Sequence, residues 1–263
     1  MKLASALLGK SPYMNIGVYQ SAASLTALER WQDVTAQNVT ASQVTGYRKR
    51  TVEFSGVEMG AIQANPGKNK IGSSDSPQPL FPKATHGISF QHGENFPTQR
   101  PLDFAIEGEG FFELKRPDGS LTYTREGTFH ISPERKLVSR DGFELLNADG
   151  NAVQLIPGAG DLTIVEDGLL VQGSTQIGRL GLKNFEKPED FTPVAAGAFE
   201  LVEGAKVKEV DNFLIIQGHL EGSNVTPMQE MIALVQIARA YEANQKSMTT
   251  QDQILGRAIE SLG

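Results

Sequence analysis

Apolar positions near the carboxy terminus recur in alternating steps of three and four: Met231, Leu234, Ala238, Tyr241, Gln245, Met248, Asp252, Leu255, Ile259 and Leu262. All but Gln245 and Asp252 are apolar or aromatic, and Val235 and Ile237 widen the apolar surface at the start. The spacing predicts a long helix with a coiled-coil-like seam over roughly five heptads. Thr226 as N-cap, Pro227 at the first helical position, and Gln229 and Glu230 in the first turn mark its beginning. At ~1–2 kcal/mol per buried seam residue, the seam is worth on the order of 10 kcal/mol when a partner covers it. An ordinary amphipathic helix docked on its own domain satisfies the same spacing.

The amino-terminal pattern is different. From Asn15 to about Val44 the charged residues are Glu29, Arg30 and Asp33, and no Pro or Gly follows Gly17 until Gly46, which predicts a second helix. Its apolar residues, Ile16, Val18, Tyr19, Leu25, Leu28, Trp31, Val34 and Val39, do not collect on one stripe at ~100° per residue. That is the pattern of a helix covered on several sides. Thr35, Asn38, Thr40, Ser42 and Thr45 compete for backbone hydrogen bonds, so the helix is expected to stop between Asn38 and Gln43.

Between the ends the periodicity changes. Residues 55–99 hold isolated apolar residues among Gly, Pro, Asn and Ser, as in Asn65-Pro66-Gly67 and Ser73-Ser74-Asp75-Ser76-Pro77, and read as a flexible or extended connection. From Pro101 to about Gly218 short apolar runs alternate with turns. Expected strands are 103–114, 121–123, 128–131, 136–138, 143–145, 152–156, 162–165, 169–172, 176–183 and 212–217. Asp118-Gly119, Asp141-Gly142, Asp149-Gly150 and Asp167-Gly168 supply the positive-φ residues that tight hairpins require. An antiparallel β domain is expected.

Composition narrows the function. A formal net charge of -7 argues against a nucleic-acid partner, which is normally held by a basic patch. With no cysteine, disulfides, thiolate catalysis and the usual structural zinc sites are excluded. No apolar run approaches the ~20 residues of a membrane-spanning helix, so direct membrane insertion is not expected. Lys2 followed by the apolar stretch from Leu3 to Gly9 sits at the lower limit of a signal-peptide core, and the plainer reading of residues 1–13 is an extension ahead of the fold.

The candidate chemistry is thin. His86, His92, His130 and His219 lie far apart, without metal-ligand spacing. Gly108-Glu109-Gly110 lacks the third glycine of a dinucleotide fingerprint and reads as a strand kink that lets Phe111 and Phe112 pack. Glu107 and Glu109 share one strand face, but no His or aromatic stands at a spacing that would make them an acid–base pair, and they read as solvated charges. No Gly-x-Ser-x-Gly elbow occurs. No catalytic residue and no cofactor is expected.

Three stretches resemble one family, the axial proteins of the bacterial flagellum, which include the rod and hook proteins. Asp33-Val34-Thr35-Ala36-Gln37-Asn38-Val39 followed by Thr45-Gly46-Tyr47-Arg48 is similar to its amino-terminal signature, departing at Gln37, Ala41 and Gln43, where Asn is typical. Arg100-Pro101-Leu102-Asp103-Phe104-Ala105-Ile106-Glu107-Gly108-Glu109-Gly110-Phe111-Phe112, Tyr123-Thr124-Arg125-Glu126-Gly127-Thr128-Phe129, Leu137-Val138 and Asp141-Gly142-Phe143 resemble its internal run. Leu220-Glu221-Gly222-Ser223-Asn224-Val225, Glu230-Met231 and Ala238-Arg239-Ala240-Tyr241-Glu242-Ala243-Asn244-Gln245-Lys246 resemble its carboxy-terminal signature.

The resemblance implies an α+β fold. The amino- and carboxy-terminal helices would pair into a discontinuous, coiled-coil-like helical domain at the inner layer of a tube, with a central antiparallel all-β domain outside. The expected boundaries are an extension (1–13), the amino-terminal helical part (14–48), an extended linker (49–100), the β domain (101–219) and the carboxy-terminal helix (220–263). It further implies a rod subunit, nearer the proximal type, that is exported unfolded through the flagellar type III apparatus. Its partners would be itself, other rod and hook axial proteins, and the ring proteins around the rod. Expected self-assembly contacts are Leu25, Leu28, Trp31, Val34, Asn38, Met231, Leu234, Ala238, Tyr241, Leu255 and Ile259. A hook or hook-associated subunit is the nearest alternative. A secreted β-rich binding or adhesive module, with its helical ends folded onto its own domain, is the alternative of another class.

Overall fold

The computed structural model describes residues 16–58, 80–165, 167–185, 187, 190–194, 197–210 and 213–262. The expected extension 1–13 and the turn-rich runs 65–67 and 73–77 lie outside the described residues. The chain is α+β and divides into two compact units, drawn from Met1–Gln37, Arg50–Gly87 and Met228–Gly263 for the first and from Asn38–Lys49 and Ile88–Pro227 for the second.

Helix α1 (Ile16–Thr40) is followed by a 3-10 turn (Ala41–Gln43) and then by extended backbone at Val44. The hydroxyl of Thr35 donates to the Trp31 carbonyl within the last turns of α1, and that of Ser42 donates to the Val39 carbonyl in the 3-10 turn that follows it. Strands β1 (Arg50–Glu58) and β2 (Leu80–Ile88) pair with each other. Thr85 bonds to Glu53 and Gly87 lies against Thr51, so the two strands run antiparallel. These strands occupy part of the segment expected as an extended connection. Their few apolar residues are enough because a ribbon docked on a helix needs only one thin apolar face. Trp31 of α1 meets Phe54 of β1 edge-on at 5.6 Å, and Arg30 Nη1 donates to the Ala84 carbonyl of β2 at 3.3 Å.

The second unit holds β3 (Asn95–Pro97), β4 (Phe104–Gly108), β5 (Phe111–Lys115), β6 (Leu121–Thr124), β7 (Phe129–Ile131), β8 (Leu137–Ser139), β9 (Glu144–Leu145), β10 (Leu162–Ile164), β11 (Leu169–Gln172) and β12 (Thr175–Arg179). It continues with β13 (Leu182–Phe185), β14 (Phe191–Pro193), β15 (Ala198–Leu201), β16 (Val207–Glu209), β17 (Phe213–Gln217) and β18 (His219–Glu221). The main sheet runs β14-β15-β6-β5-β9-β8-β7, and β13 joins β5 at Leu182↔Phe112 beside the β9 pairing. Separate antiparallel pairings are β10-β11-β12, β17-β4 and β18-β3.

Gly108 and Gly110, both at φ 108°, do more than kink a strand. They break the expected 103–114 strand in two, sending β4 to pair with β17 and β5 to the main sheet. Gly119, Gly142, Gly150 and Gly168 all have positive φ, as the Asp-Gly pairs require. The expected strand 152–156 is reduced to isolated bridges at Ala152 and Gln154, and 176–183 is split between β12 and β13. The main core gathers Phe104, Phe112, Leu137, Leu145, Leu170, Leu180, Leu182 and Ile215, each 4% exposed or less. A second, aromatic cluster forms around Phe111, Tyr123, Phe191 and Phe199.

Helix α2 (Pro227–Leu262) begins at the proline expected at the first helical position and extends for 36 residues.

Candidate assembly site

Two places in the chain carry more than ordinary core packing: the terminal helices, and a buried charge cluster formed by the segments leading into and out of them.

In the first unit, the start of α1 lies against the later part of α2. A Cβ on Gly17 would stand 3.1 Å from the side-chain amide of Gln251, so a side chain at position 17 would displace that group. Along α2 the covered or half-covered positions include Glu230, Leu234, Ile237, Tyr241, Asn244, Met248 and Gln251, again in steps of four and three. The line drawn from sequence shares Leu234, Tyr241 and Met248 with this one. It takes the other half of the heptad one residue later, at Met231, Ala238, Gln245 and Asp252, and all four of these are exposed. Hydrophobicity alone does not single out the covered line, because Glu230, Asn244 and Gln251 on it are as polar a set as Gln245 and Asp252 on the other. Ile237, 1% exposed, decides which side is covered.

Among the other expected assembly residues, Leu25, Leu28 and Trp31 are half-buried and Val34 is buried on α1. Asn38 is buried and accepts a hydrogen bond from the Tyr47 hydroxyl at 3.3 Å. Leu255 and Ile259 lie on α2, with side chains outside the described residues. Both helices also keep large apolar groups in the open: Tyr19 on α1, and Met228, Met231, Ile232, Val235 and Ile254 on α2.

The charge cluster was not legible in the sequence. In the second unit, Glu221 on β18 is 1% exposed and sits between Arg48 and Arg125, at 2.7 Å and 3.0 Å. Arg48 Nη1 also donates to the Gln91 carbonyl at 2.6 Å. Arg125 donates to the carbonyls of Ile106 (3.3 Å) and Gly108 (2.6 Å), with its guanidinium 5.5 Å from the centre of the Phe111 ring. The Gly93 amide donates to Glu221 Oε1 at 2.8 Å. Burial pushes Arg125 down to about 10 and also lowers Arg48, and in both cases Glu221 opposes the fall.

Asn224 completes the junction. Its Oδ1 accepts from the Lys49 amide at 2.6 Å, and its Nδ2 donates to the carbonyls of Ser89 and Gln91. The Gly46 amide donates to the Glu221 carbonyl at 2.8 Å and the Gly222 amide to the Glu94 carbonyl at 2.9 Å. Close approach demands glycine at two of these points. Gly46 has φ 69°, and a Cβ on Gly93 would stand 2.0 Å from the Gly222 carbonyl oxygen. Segments 44–49, 88–95 and 218–226 are thereby fastened to one another and to Arg125.

His92 lies beside this cluster, with Nδ1 3.3 Å from Arg48 Nη2. A guanidinium has no acceptor, so Nδ1 must accept, and a protonated ring would lose the contact. Burial, then the Arg125 and Arg48 charges, hold His92 below its ordinary range near 6.5, while Glu221 and Glu109 pull the other way. The unfolded chain therefore takes up a proton first as pH falls through about 6.5, and stability declines from there until the folded ring also protonates. The ring is largely exposed, so the effect is small. His92→Gln is expected to flatten the difference in urea midpoint between pH 7.5 and 5.5, whereas an unchanged slope would show that His92 is not its source.

Glu107 and Glu109 are exposed, and Glu109 accepts from Asn184 Nδ2 at 2.9 Å, an arrangement of solvated strand charges. Among the described residues no group of three His, Asp or Glu is placed to hold a metal ion. No helix among them is long and apolar enough to cross a membrane.

Comparison with known proteins bears on both places. Residues 216–261 match the family model described as flagellar basal body rod FlgEFG protein C-terminal. Residues 105–172 match that of the flagellar hook protein FlgE/F/G D1 domain. The chain is 30% identical to the flagellar basal-body rod protein FlgF of Caulobacter vibrioides, over 95% of this chain and 99% of that one. It is 32% identical to FlgF of Rhizobium meliloti over the same shares. Against the flagellar basal-body rod protein FlgG of Borreliella burgdorferi it is 28% identical, over 92% of this chain and 96% of the other.

Proposed function

The chain belongs to the family of flagellar basal-body rod proteins, and from that premise we propose that it is joined to other copies and to neighbouring axial proteins through its terminal helices. It is a structural subunit of the rod. The observation that carries the assembly reading is that each terminal helix has one side covered within the chain and large apolar side chains left open elsewhere, Tyr19 on α1 and Met231 and Ile254 on α2 among them. A solitary subunit gains nothing from that exposure, whereas a subunit in a tube wall buries it. Leu25, Leu28, Trp31 and Val34 then serve indirectly, by holding the helix pair in the shape its neighbours meet.

Export through the flagellar type III apparatus as an unfolded chain fits a protein with no cysteine to oxidise on the way. Ring proteins around the rod are the remaining partners in this reading. A place in the hook is the second reading, favoured by a D1 family model whose description names the hook protein. The genetic test is direct. A strain lacking the chain is expected to be non-motile and to build no hook beyond the basal body, with both restored by a plasmid copy. Normal swimming without it would contradict the rod assignment.

A further inference from the structure

In the second unit, residues 217–224 hold more of the chain than the charge cluster accounts for. At one end of the run, Gln217 Oε1 accepts the Ile164 amide at 3.1 Å, and Nε2 donates to the carbonyls of Leu162 at 2.9 Å and Pro101 at 2.6 Å. Leu162 and Ile164 are alternate residues of β10, so this one side chain makes the two bonds that a residue of a parallel neighbouring strand would make. The Gly218 carbonyl accepts the amides of Thr98 (2.8 Å) and Gln99 (3.1 Å), and β18 pairs with β3 at Leu220↔Phe96. At the other end, Glu221 and Asn224 hold Gly46, Arg48, Lys49, Gln91 and Gly93.

These contacts differ from those of the main sheet in their separation along the chain. The pairings β5–β6, β7–β8 and β8–β9 each join neighbours in sequence. Asn224 reaches Lys49 across 175 residues, and Gln217 reaches Pro101 across 116. The entropic cost of closing so long a loop falls on the first contact, and later contacts in the same short run add little to it. The contacts of 217–224 therefore favour forming together, whereas the hairpins of the main sheet do not depend on them.

We infer that residues 217–224 are a latch, which opens as one unit with segments 44–49 and 91–99, at a lower free energy than global unfolding, while the main sheet stays closed. Opening frees the chain that leaves α1 and the chain that enters α2 in a single step. An event that loosens one of them loosens the other, and the coupling runs equally in both directions. The latch belongs to the β unit and stands whether or not the rod reading does.

The experiment is native-state hydrogen exchange of the full-length chain at single-amide resolution, in increasing urea below the unfolding transition. The amides of Gly46, Gly93 and Thr98 are expected to converge on one opening free energy. It should lie below that of Leu137 and Leu146, whose amides bond to the Val153 and Glu113 carbonyls. Three separate energies, or one shared with Leu137 and Leu146, overturn the inference. Asn224→Ala is expected to speed exchange at Gly46 and Thr98 by about 10-fold, although the Asn224 side chain bonds to neither. Faster exchange at Lys49 alone would show a local tie and no latch. Val138→Ala, in the main sheet, is expected to speed exchange at Leu137 and Leu146 and to leave Gly46, Gly93 and Thr98 at wild-type rates, because the main sheet is intact on both sides of the latch opening. Equal acceleration at all five amides would overturn the latch. The wild-type measurement decides by itself if either variant fails to fold.

Discussion

Glu221→Ala is expected to destabilise the β unit by ~3–5 kcal/mol, because it leaves the guanidinium groups of Arg48 and Arg125 buried together without the carboxylate between them. Each is 3% exposed or less, so water does not replace the lost partner. The loss extends beyond charge. Glu221 Oε1 also accepts the Gly93 amide, and that buried donor would be stranded as well. Glu221→Gln keeps an acceptor oxygen in place but not the charge, and falls between the two. Urea denaturation followed by near-UV circular dichroism reads both variants. A Glu221→Ala protein within ~1 kcal/mol of wild type would mean that the cluster is a bystander. Because the cluster fastens the segments bordering both terminal helices, the same variant is expected to lower incorporation into basal bodies in proportion to the fraction unfolded.

Ending the chain after Thr226 is expected to abolish incorporation while the β unit stays folded, with its denaturation midpoint unchanged. The cut point matters. The family resemblance alone suggests removing residues 220–263, but that deletion takes away Glu221, Gly222 and Asn224, which hold segments 44–49 and 88–95. It would confuse loss of assembly with loss of the fold. The cut after Thr226 spares every one of those contacts and removes only α2. A truncated chain still recovered in basal bodies at wild-type level would show that α2 is dispensable for assembly.

The two terminal helices and the turns of the β unit were legible in the sequence for local reasons. Pro227 fixes the start of α2, and the Asp-Gly pairs place positive φ where hairpins turn. What escaped depended on partners distant along the chain. The β1–β2 ribbon has too few apolar residues to announce itself and acquires its meaning from the contact of Phe54 on β1 with Trp31 on α1. Gly108 and Gly110 looked like a kink, because nothing nearby records that β4 and β5 pair with different strands. The side of α2 covered within the chain differs from the sequence-derived seam by one residue in half of its heptad positions, since the interior of the pair tolerates Asn244 and Gln251.

The charge cluster is the clearest instance. Arg48, Arg125 and Glu221 each stood in a motif that resembled the family, yet 96 residues separate Arg125 from Glu221. Buried opposite charges carry no periodicity, so only the folded chain shows that the three motifs are one junction. The hint that was present is the cost of desolvation. A Glu and two Arg are expensive to bury unless they meet one another.

The central claim is that this chain is a rod subunit held by its terminal helices. Cryo-electron microscopy of purified basal bodies at a resolution that shows side chains tests it most directly. The expected density places this chain in the rod, with α1 and α2 at the subunit contacts and the open side chains of Met228, Met231, Ile232 and Val235 buried against a neighbouring subunit. Rod density accounted for entirely by other chains, or a subunit of this chain whose α1 and α2 touch no neighbour, would contradict it.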